Sequence, residues 1–254
     1  MRIVFMGTPE FAVPSLEALL KSDDQVVGVV TQPDRPKGRG QAVVFSPVKQ
    51  ICLREGLPIL QPTKMKDPAF LDALRGWQPD VIAVAAFGRI LPPVILALPP
   101  KGCINVHGSL LPKYRGAGPI QWAIIRGEEE TGITTMLMDE GMDTGAMLLQ
   151  ERVAIEVDDT AGTLAPRLAQ AGGLHEVSRR TVDDLASGRA AGVGSGPSRD
   201  NHLRNQRRAG GCDGERNHPT AGDSTGEQPA HDSGTIPGRS SPCRGHPTRS
   251  GSNA

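Results

Sequence analysis

Asn105 and His107 stand two residues apart at the end of a strand-like run, Gly102-Cys-Ile-Asn-Val106. Side chains alternate along a strand, so positions i and i+2 share a face. An amide and an imidazole would then converge on one small volume. Such a pair can bind a carbonyl oxygen and stabilise the negative charge it gains when attacked. Further along, Met138-Asp-Glu-Gly-Met-Asp-Thr-Gly145 carries Asp143 on a turn-rich stretch. Taken singly, these residues are only a polar strand end and a turn-forming Asp, because short motifs often match by chance.

Between the two lies Ser109-Leu-Leu-Pro-Lys-Tyr-Arg-Gly-Ala-Gly-Pro119. With the Asn-x-His before it and the Asp-bearing stretch after it, this run closely resembles the signature of folate-dependent formyltransferases. The resemblance extends from Met1 to about Gly173 and is strongest to the members that act on methionyl-tRNA. It implies transfer of a formyl group from 10-formyltetrahydrofolate to the α-amino group of initiator methionyl-tRNA, for translation initiation. Asn105 would donate to the formyl oxygen and His107 would stabilise its developing charge. Asp143 would hold His107 in its useful protonation state and accept the amine's proton, through water. The resemblance also implies a pterin pocket lined by the backbone of Phe87, Gly88, Ile90 and Leu91. Ser109, Leu110, Leu111 and Pro112 would shape the folate site with backbone groups, and Tyr114 and Arg115 would brace the loop. Folate is a co-substrate that supplies the one-carbon chemistry, so no metal or tightly bound cofactor is needed.

The positioning elements read as an α/β chain with a Rossmann-like start and a mainly parallel sheet. Residues 2–6 form a buried-type strand, followed by a Gly7 turn and a helical pattern through Leu16, Leu19 and Leu20. Only Gly7 of a three-glycine dinucleotide fingerprint is present, so NAD is not expected. Valine-dense 25–31 is the second strand. Ser46-Pro47 and Asp67-Pro68 each pair an N-cap with proline at the first helical position. Residues 80–87 form a continuous apolar strand, buried on both faces as parallel strands are. A helix over 119–126 packs Ile120, Ala123 and Ile124 inward, with Trp122 in the core or against a neighbour. Strands over 131–138 and 146–155 flank the Asp143 loop, and Thr160 caps a helix.

The stretch Gln32-Pro-Asp-Arg-Pro-Lys-Gly-Arg-Gly40 holds Arg35, Lys37 and Arg39 with no apolar residue between them. Its prolines and glycines should prevent both helix and strand. Three cations on an otherwise neutral domain suit phosphate contact, and by resemblance this loop meets the tRNA acceptor stem.

Charge and cysteine usage bound the rest. There are 28 basic and 28 acidic residues, so RNA binding must come from a local patch rather than overall charge. The N-terminus reads as a strand rather than a signal peptide, and no apolar run reaches membrane-spanning length. Cysteines 52, 103, 212 and 243 show no paired spacing, which suits a reducing compartment. These features lead us to expect a cytoplasmic protein with no membrane association; a monomer is also expected.

After Ala190 the only large apolar residues are Val193, Leu203 and Ile236. Such a composition cannot bury enough surface to offset ordering entropy. Residues 1–190 are therefore expected to be the catalytic domain. Residues 191–254 would be a disordered or frameshifted tail in place of the β-barrel that the resemblance implies, with tRNA affinity weakened accordingly. The tail's histidines lack metal-ligand spacing. Two other readings are a folate-dependent transferase or hydrolase acting on a small molecule, and an impaired product that only binds folate.

Overall fold

The computed structural model describes residues 1–37 and 42–174. From the N-terminus come β1 (Arg2–Gly7), α1 (Val13–Lys21) and β2 (Gln25–Val30). A short ribbon, β3 (Arg35–Lys37) and β4 (Ala42–Val44), leads into α2 (Pro47–Glu55) and β5 (Ile59–Leu60). Next are α3 (Pro68–Gly76), β6 (Val81–Ala85), α4 (Pro93–Leu96) and β7 (Cys103–His107). The described chain closes with α5 (Pro119–Ile125), β8 (Glu130–Leu137), β9 (Met147–Ala154) and α6 (Ala161–Leu174).

Seven strands make one sheet in the order β5-β2-β1-β6-β7-β8-β9. The first five run parallel, and β8 and β9 add antiparallel to that edge. The mixed α/β class and mainly parallel sheet agree with the sequence reading. The chain winds from β1 outward to β2 on one side and places β6 on the other. That reversal opens a crevice at the carboxyl ends of β1 and β6, where ligands bind in sheets of this kind.

Period-two alternation sorts side chains between the two faces. Ile3 and Phe5 of β1 and Ala83 and Ala85 of β6 join one core with Leu16, Leu19, Leu164 and Leu168. Val4, Met6, Ile82 and Val84 join the other with Phe70, Leu74 and Ile95. In β7, Ile104 and Val106 belong to the first core and Cys103 to the second. Asn105 and His107 therefore share the Cys103 face, beyond the end of the apolar packing. Both expected caps form: Ser46 accepts from the Lys49 amide and Asp67 from the Ala69 amide.

One expectation needs correction. Arg35–Lys37 is a strand, paired antiparallel with Ala42–Val44 through Pro36 opposite Val43. A two-stranded ribbon is all edge, so a proline without an N–H can face outward and cost no ladder bond. Of the two places expected for Trp122, it takes the one outside the core, against a neighbour. It is 47% exposed, with the Arg126 guanidinium 5.9 Å from its ring centroid. The expectations for Arg39, for 181–190 and for 191–254 lie outside the described residues.

At β8, Gly132 faces Arg152 of β9 at close quarters. A Cβ there would lie 1.9 Å from the Glu151 carbonyl oxygen and 2.6 Å from Leu110 Cδ2. Gly132→Ala should cost about 1–3 kcal/mol through this overpacking, read as a lower urea midpoint. An unchanged midpoint would contradict the close approach.

Candidate active site

The antiparallel addition of β8 builds the site's frame. Thr134 lies opposite His107 in the β7–β8 pairing. Its hydroxyl donates to the Ser109 carbonyl at 2.7 Å and accepts from the Leu111 amide at 3.1 Å. Gln150 Nε2 of β9 donates to the Leu111 carbonyl at 2.8 Å and to Thr134 Oγ1 at 3.0 Å. Ser109 Oγ donates to the Lys113 carbonyl at 2.6 Å. The loop leaving β7 is thus clamped to the sheet it has just left.

This clamp adds one detail to the sequence reading. Ser109 and Leu111 are buried, and their backbone groups are engaged by Thr134 and Gln150. They scaffold the loop from within. Pro112 is exposed and Leu110 half-buried, so the accessible part of this stretch belongs to those two.

Asp143 reaches this frame from the loop between β8 and β9. Its carboxylate Oδ2 accepts the Gly116 amide at 2.8 Å and lies 3.5 Å from His107 Nδ1. Its Oδ1 accepts from Asn105 Nδ2 at 3.4 Å. One carboxylate therefore gathers Asn105, His107 and the loop after β7. Asp143 has φ 53, a left-handed conformation that Asp tolerates better than most residues. Gly116, at φ 85, supplies the amide from a conformation that favours glycine.

The other imidazole nitrogen is fixed as well. His107 Nε2 lies 3.0 Å from the Tyr114 carbonyl oxygen. A carbonyl can only accept, so Nε2 carries the hydrogen. Nδ1 is then the nitrogen left to exchange a proton or meet a substrate oxygen, beside Asp143. The imidazole is buried and the carboxylate nearly so.

Beside the Asp143 loop an open cleft of about 530 Å³ runs between Lys64, Met65, Lys66, Ile90, Leu91, Pro92, Pro93 and Glu140. Ile90 and Leu91 of the expected pterin wall line it, Ile90 being 78% exposed. Phe87 is buried and Gly88 exposed in the same loop. The backbones of Arg35 and Lys37 stand on the β3 strand. Burial pushes the Cys52 thiol up to about 11 and the Cys103 thiol up to about 12, so neither offers a thiolate at neutral pH. Among the described residues no group of three or more His, Cys, Asp and Glu side chains could hold a metal ion. No described helix is long and apolar enough to cross a membrane.

Residues 1–179 match the family model described as Formyl transferase. The chain belongs to the formyl transferase family. It is 62% identical over 172 residues to the methionyl-tRNA formyltransferase of Desulfotalea psychrophila, covering 68% of this chain and 53% of that protein. It is 60% identical over 190 residues to the methionyl-tRNA formyltransferase of Caldanaerobacter subterraneus, covering 74% and 61%. The chain thus spans between half and two thirds of the length of these relatives. Among solved structures it resembles phosphoribosylglycinamide formyltransferase from Bacillus halodurans, with TM-score 0.60, 24% identity, and 74% of this chain and 96% of that one covered. It also resembles glycinamide ribonucleotide transformylase 1 from Geobacillus kaustophilus, with TM-score 0.57, 28% identity, and coverage of 71% and 95%.

Several residues of this formyl transferase site escaped the sequence reading. Asp139 Oδ1 accepts from the Gly141 amide at 3.0 Å and from Thr144 Oγ1 at 2.7 Å, shaping the turn that presents Asp143. Its signal was available, since Asp-x-Gly is a side-chain-to-backbone turn pattern. Thr134, Gln150 and Lys64 carried no comparable signal. Glu128 also went unread, and it makes the brace expected of Tyr114. Its carboxylate accepts from the Tyr114 hydroxyl at 2.5 Å and from Lys113 Nζ at 2.8 Å. That grip holds residue 114, at φ 58, where its carbonyl meets His107.

The Lys113 ammonium and the Tyr114 hydroxyl hold the Glu128 carboxyl below the usual range. In turn the Glu128 hydrogen bond, with partial burial, raises the Tyr114 phenol above its ordinary value. Tyr114 is the chain's single tyrosine, so its ring carbons can be followed by NMR without assignment. The phenol should ionise above the ordinary value of about 10 and fall back towards it in Glu128→Ala. Identical midpoints in the two proteins would contradict the brace.

Proposed function

We propose that this chain transfers a formyl group from 10-formyltetrahydrofolate to the α-amino group of initiator methionyl-tRNA, priming it for translation initiation. The observation that carries the reading is the convergence of Asn105, His107 and Asp143 on one small volume. Support for the acceptor comes from the relatives that share 60% and 62% of aligned residues, both named methionyl-tRNA formyltransferase. Small-molecule acceptors rest only on more distant structural likeness.

In this reading the amine nitrogen attacks the formyl carbon and the carbonyl oxygen gains negative charge. Asn105 Nδ2 donates to that oxygen at the carboxyl end of β7, and His107, whose Nε2 hydrogen is taken by the Tyr114 carbonyl, donates from Nδ1 when that nitrogen also carries a proton. Asp143 steadies both donors and, through water, accepts the proton the amine loses. Collapse of the intermediate breaks the bond from the formyl carbon to the folate nitrogen, which takes up the proton the amine lost and leaves as tetrahydrofolate. The folate lies along Phe87, Gly88, Ile90, Leu91, Leu110 and Pro112, with Ser109 and Leu111 holding the loop from beneath. Lys64 and Lys66 at the cleft offer cations to a folate's carboxylates. Arg35, Lys37 and Arg39 contact tRNA phosphates as position-setting rather than base-reading contacts. The protein works in the cytoplasm as a monomer, with residues 1–190 as its catalytic domain.

An oxyanion donor is worth about 3–4 kcal/mol of barrier, so Asn105→Ala should slow formylation by about 10²–10³. The assay is formylation of methionyl initiator tRNA by the full chain with 10-formyltetrahydrofolate. A rate within a few-fold of the parent would overturn the role given to Asn105.

A further inference from the structure

Gln32 lies two residues past the end of β2, at the rim of the crevice between β1 and β6. Its side chain crosses the end of β1, and Nε2 donates to the Phe87 carbonyl at 2.9 Å, beyond β6. Its main-chain amide donates to Thr8 Oγ1 at 3.3 Å, and its carbonyl accepts from Gln61 Nε2 at 2.8 Å. One residue thus ties together the loops that follow four parallel strands: β1, β2, β5 and β6. Gln32 is only half-buried, and neither the core nor the formyl-transfer chemistry requires a glutamine here.

What hangs from each side of Gln32 gives it meaning. On one side, Ala86 at φ 44 and Gly88 at φ 75 turn the backbone sharply around Phe87. A Cβ on Gly88 would come 2.9 Å from Gln32 Nε2, so the loop and the amide are packed against each other. That loop continues into Ile90 and Leu91 of the cleft wall. On the other side, Asp34 accepts from Gln61 Nε2 at 3.1 Å and pairs with Lys49 Nζ, which also donates to Gln61 Oε1 at 2.8 Å. The Lys49 ammonium also sits 4.3 Å from the Phe45 ring centroid. Residues 31–34 are therefore a pinned pedestal, and the next residue is Arg35 of the basic ribbon.

We propose that Gln32 is a positioning residue shared by the two substrate surfaces: its amide holds the folate-side loop, its main chain holds the basic ribbon, and filling one surface steadies the other. The inference rests on the formyl-transfer reading of those surfaces. A ligand that orders the 86–91 loop would pass order through the Gln32 amide to the pedestal, and by linkage the two substrates would help each other bind.

Hydrogen–deuterium exchange of the full chain, with and without saturating tetrahydrofolate, tests this. In the parent, tetrahydrofolate should slow exchange in peptides covering 86–91 and also in those covering 31–37. In Gln32→Leu, tetrahydrofolate affinity should fall about five- to 150-fold, the range for a lost hydrogen bond that leaves its carbonyl unpaired. At saturation the slowing over 31–37 should vanish while that over 86–91 remains. Gln32→Glu keeps the length but, when ionised, cannot donate, and it should behave like Gln32→Leu. Lys49→Met should speed exchange over 31–37 without ligand yet leave tetrahydrofolate affinity within about twofold, because it loosens only the ribbon side. Ribbon protection that survives in both Gln32 variants, or parental affinity in either, overturns the proposal. If the parent does not bind tetrahydrofolate, the formyl-transfer reading itself falls, and that is seen before any variant is compared.

Discussion

A half-buried carboxylate must be partnered or it costs several kcal/mol. Asp143 meets that demand with groups from three separate pieces of chain. It accepts the Gly116 amide from the loop after β7 and the Asn105 amide from β7 itself, and it faces the His107 ring. The same contacts that satisfy the charge bring the candidate chemistry together. The loop bearing Asp143, the loop bearing Gly116 and the strand end all meet at one carboxylate, and the left-handed angle at 143 is held within those contacts.

The sheet makes this economical. Parallel strands deliver loops to one edge, and antiparallel β8 then runs back beside β7, placing Thr134 opposite His107. Thr134 and Gln150 hold the 109–111 backbone, so the loop's shape is set by rigid strands. Glu128 holds its far end through Tyr114 and Lys113. His107 is consequently fixed from both sides, by a carbonyl at Nε2 and a carboxylate at Nδ1. Positioning of this kind contributes to rate because donors already aimed at the developing charge need not reorganise during reaction.

Much of the fold was legible because its signals are local. A valine-dense run marked β2 and a continuous apolar run marked β6, and the Ser-Pro and Asp-Pro pairs marked helix starts that the capping geometry bears out. The Asn105–His107 pair was legible from strand alternation alone. Its meeting with Asp143 was not, and came instead from likeness to known sequences. The missed residues act mainly through backbone groups of others: the Tyr114 carbonyl, the Gly116 amide and the Phe87 carbonyl have no residue-type signature. Pro36 misled because the rule against proline in strands concerns paired interiors, whereas its ribbon has two open edges. Trp122 was left open between core and neighbour because an aromatic at helical spacing fits both, and here its ring lies near Arg126 at the surface.

The most direct test of the site is Asp143→Ala in the full chain, comparing single-turnover formyl transfer to methionyl initiator tRNA with equilibrium binding of tetrahydrofolate. Loss of the carboxylate should slow transfer by at least about 10², the scale on which a proton-transfer group acts, while tetrahydrofolate still binds. Transfer at the parental rate would contradict the claim that Asp143 assembles the catalytic groups.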